Sequence, residues 1–451
     1  MCKSLLKFSE GLLNKLNSKV AKKNTQLLLS KILGFGSCKL FKITENKNEY
    51  KRLKRTLSKE NKLGHLDESL INDTLMEEAL RKLSSTNEIY LLHDPSDIRK
   101  PHSKKTENLG KVLDLNHRVI NGYSSYNVIA VTPYNKEVHL LSHELYSNKS
   151  PSFLKAELVK KLVENKDFPE KEAVLELYKS GTWFNKKTLA KATIKKTSDA
   201  FKTNNPTSKI THILDREFDD EDYFDFIAGL GDDFVIRAKK IRNEIHSEES
   251  ENKKIKLISS NFQNKNIIHI QKIKLNKQVY QDVTLVIEWK SYGSYSAVRV
   301  TLKDRNQKNI FANPMLLITN KNIQTAEDAH LAYQIYLKRS RIECVFKFLK
   351  EGMGWEDIQL QDFQSIQNLL SICFFLAAYL YDIKEQEVHD DFIILLAKIG
   401  GGKGVVSWHY IFEGIQQIMN KHRIDRILEE EKVSQQTMED MYTFGGICYD
   451  F

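Results

Sequence analysis

Cysteine is scarce in this chain and never clustered. The five residues (Cys2, Cys38, Cys344, Cys373 and Cys448) are odd in number and none falls in a CxxC pair. That argues against a disulfide framework and against a structural zinc site, and it fits a reducing, cytoplasmic setting. Long apolar runs are also missing. The longest runs from about Leu369 to Tyr381 and includes Ser371, short of the roughly 20 residues that a spanning helix needs. It reads as a buried helix, and no membrane partner is expected. The opening stretch carries Lys3, Lys7, Glu10 and Lys15, which interrupt the apolar segment of a secretory signal. A nucleotide-binding glycine loop is absent too. GGGKG (400–404) has Gly404 where a Walker A loop has Ser or Thr, and lacks the earlier glycine.

Acidic residues are sparse in one region only. Residues 1–64 hold sixteen Lys and Arg against four Asp and Glu, whereas the remaining 387 residues sum to about −2 of the net +10. A compact basic module on a near-neutral body points to a polyanion partner. A solvated or membrane-facing basic surface is the alternative. At 451 residues and 41% hydrophobic content, the chain has enough apolar material for two to four domains with real cores.

Periodicity divides the chain. Residues 1–85 have apolar positions three and four apart and read as helices, the stretch Tyr50 to Lys62 being the most basic. Strand signals follow. EIYLLHD ends in Asp94, and YNVIAVTP and KEVHLLSHELYS form a hairpin across Tyr134 and Asn135. Residues 150–205 are helical again. KITHILD ends in Asp215, EDYFDFIAGLGD reads as a helix and DFVIRAKK as a strand. Residues 240–312 break this α/β order with β-rich pieces (ISSNF, NIIHIQKIKL, VTLVIEW, YSAVRVTLK), read as an inserted, mostly antiparallel sheet. MLLITN returns to a core strand. One long helix is expected from about Ala326 to Leu349 and a second through Leu369–Tyr381, with a helical tail over 384–451.

Three acids stand out. Asp94 and Asp215 each close an apolar strand, where loops build sites in open α/β sheets. Either one alone also fits a cap on the following turn. Asp219, Asp220, Glu221 and Asp222 compete with Asp215, but they suit the acidic first turn of the next helix. The third acid comes with company. Tyr336, Arg339, Glu343 and Lys350 lie at offsets of 0, 3, 7 and 14, a stripe roughly 60° wide at about 100° per residue. A solvated face held by pairs such as Arg339–Glu343 is the plainer reading of that stripe. Close carboxylates repel unless a cation lies between them. Asp, Asp and Glu are hard oxygen donors suited to Mg²⁺, and two such ions can drive in-line phosphoryl transfer.

The spacing Tyr336-x2-Arg339-x3-Glu343-x6-Lys350 resembles the Y-R-E-K signature of bacterial DDE transposases of the insertion-sequence-four family. HDPSDIRKPHSKKTENLGK (93–111), NGYSSYNVIAV (121–131), LDRE (214–217) and NLLSICFFLAAYLYDI (368–383) resemble that family's surrounding segments, so the likeness covers roughly 90–385. It implies an α/β fold, an RNase H-like mixed sheet flanked by helices, with a β-rich insertion between the second and third acids. The expected domains are a helical basic DNA-end-binding module (1–85), the catalytic core in two parts (86–239 and 313–383), the insertion (240–312) and a helical C-terminal region (384–451), whose apolar spacing over 411–428 suits dimer contacts and intramolecular packing equally. The resemblance further implies Asp94, Asp215 and Glu343 as catalytic ligands of two Mg²⁺ ions, with Mn²⁺ able to substitute. It implies DNA contacts from Tyr336, Arg339, Arg341, Lys350 and Arg237, and partners that are double-stranded DNA (terminal inverted repeats and target) and a second copy on paired ends. Where some relatives carry a Trp supporting a flipped base, this chain has Met315; Met fills an apolar slot less rigidly, and a plain core methionine is at least as good a reading. An RNase H-like nuclease without transposition and a DNA-binding protein without catalysis are the competing functions.

Overall fold

Alternating and continuous apolar runs over 86–320 build one sheet, and the charged helical segments before and after it build helices. The computed structural model describes residues 2–58, 66–134, 137–244, 256–275, 278–385 and 390–430. Asn135, the end of the basic stretch, Cys448 and the last part of the tail therefore lie outside the described residues.

Helices α1 (Cys2–Lys15), α2 (Lys19–Phe35), α3 (Leu40–Ile43) and α4 (Lys47–Leu57) come first. Helix α5 (Glu68–Lys82) leads into β1 (Glu88–Arg99), β2 (Gly110–Leu113), β3 (Val119–Val131) and β4 (Val138–Tyr146). Helices α6 (Ala156–Val163), α7 (Lys171–Ser180) and α8 (Lys186–Asn204) precede β5 (Lys209–Leu214), α9 (Glu221–Gly229) and β6 (Asp233–Arg237). Next come β7 (Asn264–Leu275), β8 (Gln278–Tyr292), β9 (Tyr295–Lys303) and β10 (Met315–Thr319). The chain continues with α10 (Ala326–Leu337), α11 (Ser340–Lys347), α12 (Phe363–Glu385), α13 (Asp390–Ile399) and α14 (Trp408–Glu430).

Two compact units result. One comprises Asp67–Lys347 and Leu360–Ala378; the other comprises Met1–Leu66, Phe348–Gln359 and the segment from Tyr379 onward. In the first, ten strands form a single sheet in the order β2-β3-β1-β5-β6-β10-β9-β8-β7, with β4 also paired to β3. β3 runs antiparallel to both β1 and β4, whereas β5 and β6 run parallel to β1 and to each other. That is the RNase H-like arrangement of a mixed α/β sheet. Its core includes Leu91, Val128, Leu214, Phe224, Phe234 and Ile318, which remain out of water because β1 and β5 are buried on both faces.

Four sequence expectations are corrected. β1 does not end at Asp94; it runs on to Arg99, paired with β3. The β-rich block is not a separate sheet: β9 pairs with β10, so β7, β8 and β9 extend the main one. ISSNF is no strand, since Leu257–Ser259 make a 3-10 turn. The helix expected over 326–349 is two helices and a π-turn (Phe348–Gly352). Neither Gly nor Pro interrupts it; side-chain bonds described below do. Phe363–Ile383 is long and apolar enough to cross a membrane, yet 83% of its apolar window is buried in the protein.

In the second unit Ser18 caps α2 by accepting from the Ala21 amide at 3.0 Å, and Gly36 closes that helix with a left-handed φ of 59°. The glycines around the GGGKG turn have a packing role. A Cβ on Gly400 would overlap the Tyr410 carbonyl, and one on Gly414 the Leu396 carbonyl, so α13 and α14 touch backbone to backbone. Gly→Ala in a helix ordinarily gains up to about 1 kcal/mol. Here overlap with backbone outweighs that gain. Gly414→Ala is expected to cost about 1–3 kcal/mol, read as a lowered midpoint in urea unfolding.

Candidate active site

The two aspartates are brought together by one strand pair. β1 and β5 run parallel, and their last paired residues are Leu92 and Ile213. Asp94 and Asp215 each lie two residues further on. Two residues return a side chain to the same face of a strand, so both carboxylates leave the sheet on one side where the parallel pair opens. Crevices at the carboxyl ends of parallel strands are the usual sites of α/β sheets. The capping alternative for Asp215 does not hold. Asp215 heads a 3-10 turn (Arg216–Phe218) without a side-chain capping bond. Among its neighbours, Asp220 caps α9 and Asp219 pairs with Arg242.

The third acid arrives from the break between α10 and α11. At the break the amides of Lys338 and Arg339 bond to the carbonyls of Ile335 and Tyr336, three residues back. Lys338 reaches away to the carbonyls of Thr132 (3.2 Å) and Pro133 (2.6 Å). Arg339 turns to the carboxylates. Its Nη2 donates to both oxygens of Asp94 at 3.0 Å and lies 3.5 Å from Asp215. Its Nη1 donates to Glu343, one turn along α11. The buried Tyr336 hydroxyl donates to Asp215 at 3.2 Å. One guanidinium thus touches all three acids.

The charges do not balance. Three carboxylates face one guanidinium; Arg216, which also pairs with Asp215, is half exposed and 3.9 Å away, a geometry worth little. Burial pushes the Asp94 carboxyl up to about 7; Arg339 opposes this, and Asp215 and Glu343 add to it. Burial therefore outweighs Arg339. Burial also works against the charge on Arg339, but the acids around it prevail and hold it above its usual range. Burial, then the charge of Asp215, raises Tyr336, and Arg237 pulls the other way.

The remaining expected residues are placed less centrally. Arg237, at the end of β6, acts on Tyr336. Arg341 is exposed on α11 and acts electrostatically on Lys338. Met315 opens β10, half-buried and opposite Val300. Lys350 belongs to the other compact unit, on the π-turn and 3.8 Å from Glu356. The regular stripe inferred from offsets therefore ends before it.

Sequence reasoning missed the support behind Asp94. Asn127 on β3 stands opposite Asp94, and His143 on β4 stands opposite Asn127. Asn127 Nδ2 donates to the Asp94 carbonyl at 3.2 Å, and its Oδ1 lies 2.8 Å from His143 Nδ1. Since Oδ1 only accepts, His143 carries its proton on Nδ1. On the opposite face His93 Nε2 meets His212 Nδ1 at 2.9 Å, and His212 Nε2 meets Asp232 at 3.1 Å. The available signal was a polar residue set within an otherwise apolar strand, Asn127 in NVIAV and His143 in HLLSH.

His143 is buried, which pushes its pKa down to about 3. The folded protein refuses a proton that the unfolded chain accepts below about 6.5. Stability is therefore present above that value and lost as pH falls toward 3, by about 2 kcal/mol at pH 5 from this one site. Thermal unfolding at pH 7.5 and pH 5 is expected to show a smaller acid-induced drop for His143→Gln than for the wild type.

Asp94, Asp215 and Glu343 offer hard oxygens to a divalent ion, and one cation already bridges them. Among the described residues, however, no three His, Cys, Asp or Glu side chains are arranged to share an ion directly, because the carboxylates are spread around the guanidinium.

No curated protein matches the chain. Residues 185–380, somewhat less than half of it, match the family model of the transposase DDE domain. The match spans Asp215, Arg237 and the segment from Tyr336 to Lys350, and it supports assigning this region to a transposase.

Proposed function

We propose that this protein is a cut-and-paste DNA transposase of the insertion-sequence-four family, cleaving and joining the terminal inverted repeats of its own element. One observation carries the reading: three carboxylates from β1, the end of β5 and α11 surround Arg339, within a chain whose segment 185–380 matches the transposase DDE domain. Asp94, Asp215 and Glu343 are the catalytic residues and would hold two Mg²⁺ ions, or Mn²⁺ in their place. When bound, such ions supply charge stabilisation to the attacking and leaving oxygens of a phosphodiester.

The protein's own groups do the rest. The Arg339 fork suits two phosphate oxygens. Tyr336, held between Asp215 and Arg237, offers its hydroxyl to the same phosphate. Lys350 and Arg341, with Arg237, complete the Y-R-E-K set and its cationic flank. Met315 supports an unstacked base through its thioether. The cationic helices of residues 1–64 bind the repeats, and two copies act on paired ends in the cytoplasm.

Glu343→Gln is expected to lower Mg²⁺-dependent end cleavage by about a hundred- to a thousandfold while leaving end binding near wild type in a gel-shift assay. Cleavage at the wild-type rate sinks the assignment, and cleavage of any duplex without strand transfer favours a plain nuclease. On α4, Lys51, Lys54 and Arg55 are exposed and Leu53 and Leu57 are buried. Replacing the three cations with Gln is expected to weaken end binding and flatten the log affinity versus log salt slope by about 2–3 units. An unchanged slope removes the module from the interface.

A further inference from the structure

Arg339 is doing a job that a bound divalent cation would take over. Its two Nη groups are spent on carboxylates, and its Nε is buried with no hydrogen-bond partner. Among the described residues its hydrogen-bond partners are the acids, and none is at the Nε. The lone pairs it occupies on Asp94 are those a Mg²⁺ ion would need at about 2.1 Å. A guanidinium and a divalent cation cannot share that position, because like charges at such distances repel by several kcal/mol even in a partly screened site.

We propose that Arg339 is a gate for metal loading. Without DNA it serves as the internal counter-ion of Asp94, Asp215 and Glu343 and weakens divalent-ion binding. A phosphate of the DNA end draws the fork away, and the three acids, now mutually repelling, take up the ions. Metal and DNA end are thereby coupled, and the coupling is reciprocal: each tightens the other by the same factor. The device holds a reactive centre idle until an end is engaged. It rests on the assignment of the three acids as metal ligands.

The test is Mn²⁺ binding to the full-length protein without DNA, followed by the electron paramagnetic resonance signal of free Mn²⁺. Arg339→Gln is expected to bind Mn²⁺ on the order of tenfold more tightly than the wild type. Arg339→Lys keeps a single-point charge without the fork and is expected to fall between them, which preserves the comparison should the Gln variant fold poorly. Equal or weaker binding by both variants overturns the gate and leaves the metal site standing. In the Arg339→Gln background, Asp94→Asn is expected to remove the tightened binding. Persistence of that binding places the ion elsewhere and overturns the metal-site assignment together with the gate.

Discussion

Three carboxylates around one buried guanidinium is an arrangement that the rest of the sheet unit has to hold in place. A charge as buried as Asp94 is costly, and Arg339 offsets only part of that cost. The acids are kept close by backbone that has no freedom to relax. Asp94 lies on a strand paired along its length to β3, and Asp215 follows a strand bonded to neighbours on both sides. Both positions are determined by hydrogen-bond ladders before any side chain acts. Glu343 alone sits on a helix surface, where its exposure leaves it free to adjust.

Polar support runs on both faces of the same strands. Asn127 and His143 form a cross-strand row with Asp94 on one face. His93, His212 and Asp232 form a chain on the other, ending at Ser198 and at Lys202, 2.6 Å from Asp232. These rows tie β1, β3, β4 and β5 laterally, so they bear on the spacing of the two aspartates more than on overall stability.

The break between α10 and α11 shows how tertiary bonds override local preference. YLKRSRIECVFKFLK has good helix formers and no breaker, and a continuous helix is the sound local expectation. Lys338 and Arg339 instead pull in different directions, one toward the end of β3 and the other toward the acids. Several charge-assisted hydrogen bonds, each about 1.5–3 kcal/mol, exceed the few helical bonds that are lost.

By itself the sequence determined the α/β class and pointed to Asp94, Asp215 and Glu343 with Tyr336 and Arg339, because apolar runs and short residue spacings are local properties of a chain. The tertiary structure decided what those residues touch. It extended β1 past Asp94, merged the β-rich block into the main sheet and placed Lys350 in a different compact unit from Glu343. It also set Arg339 among the acids, where a helical wheel shows it only as a pair for Glu343. Contacts between residues 121 to 245 positions apart depend on strand register, and no local periodicity encodes register.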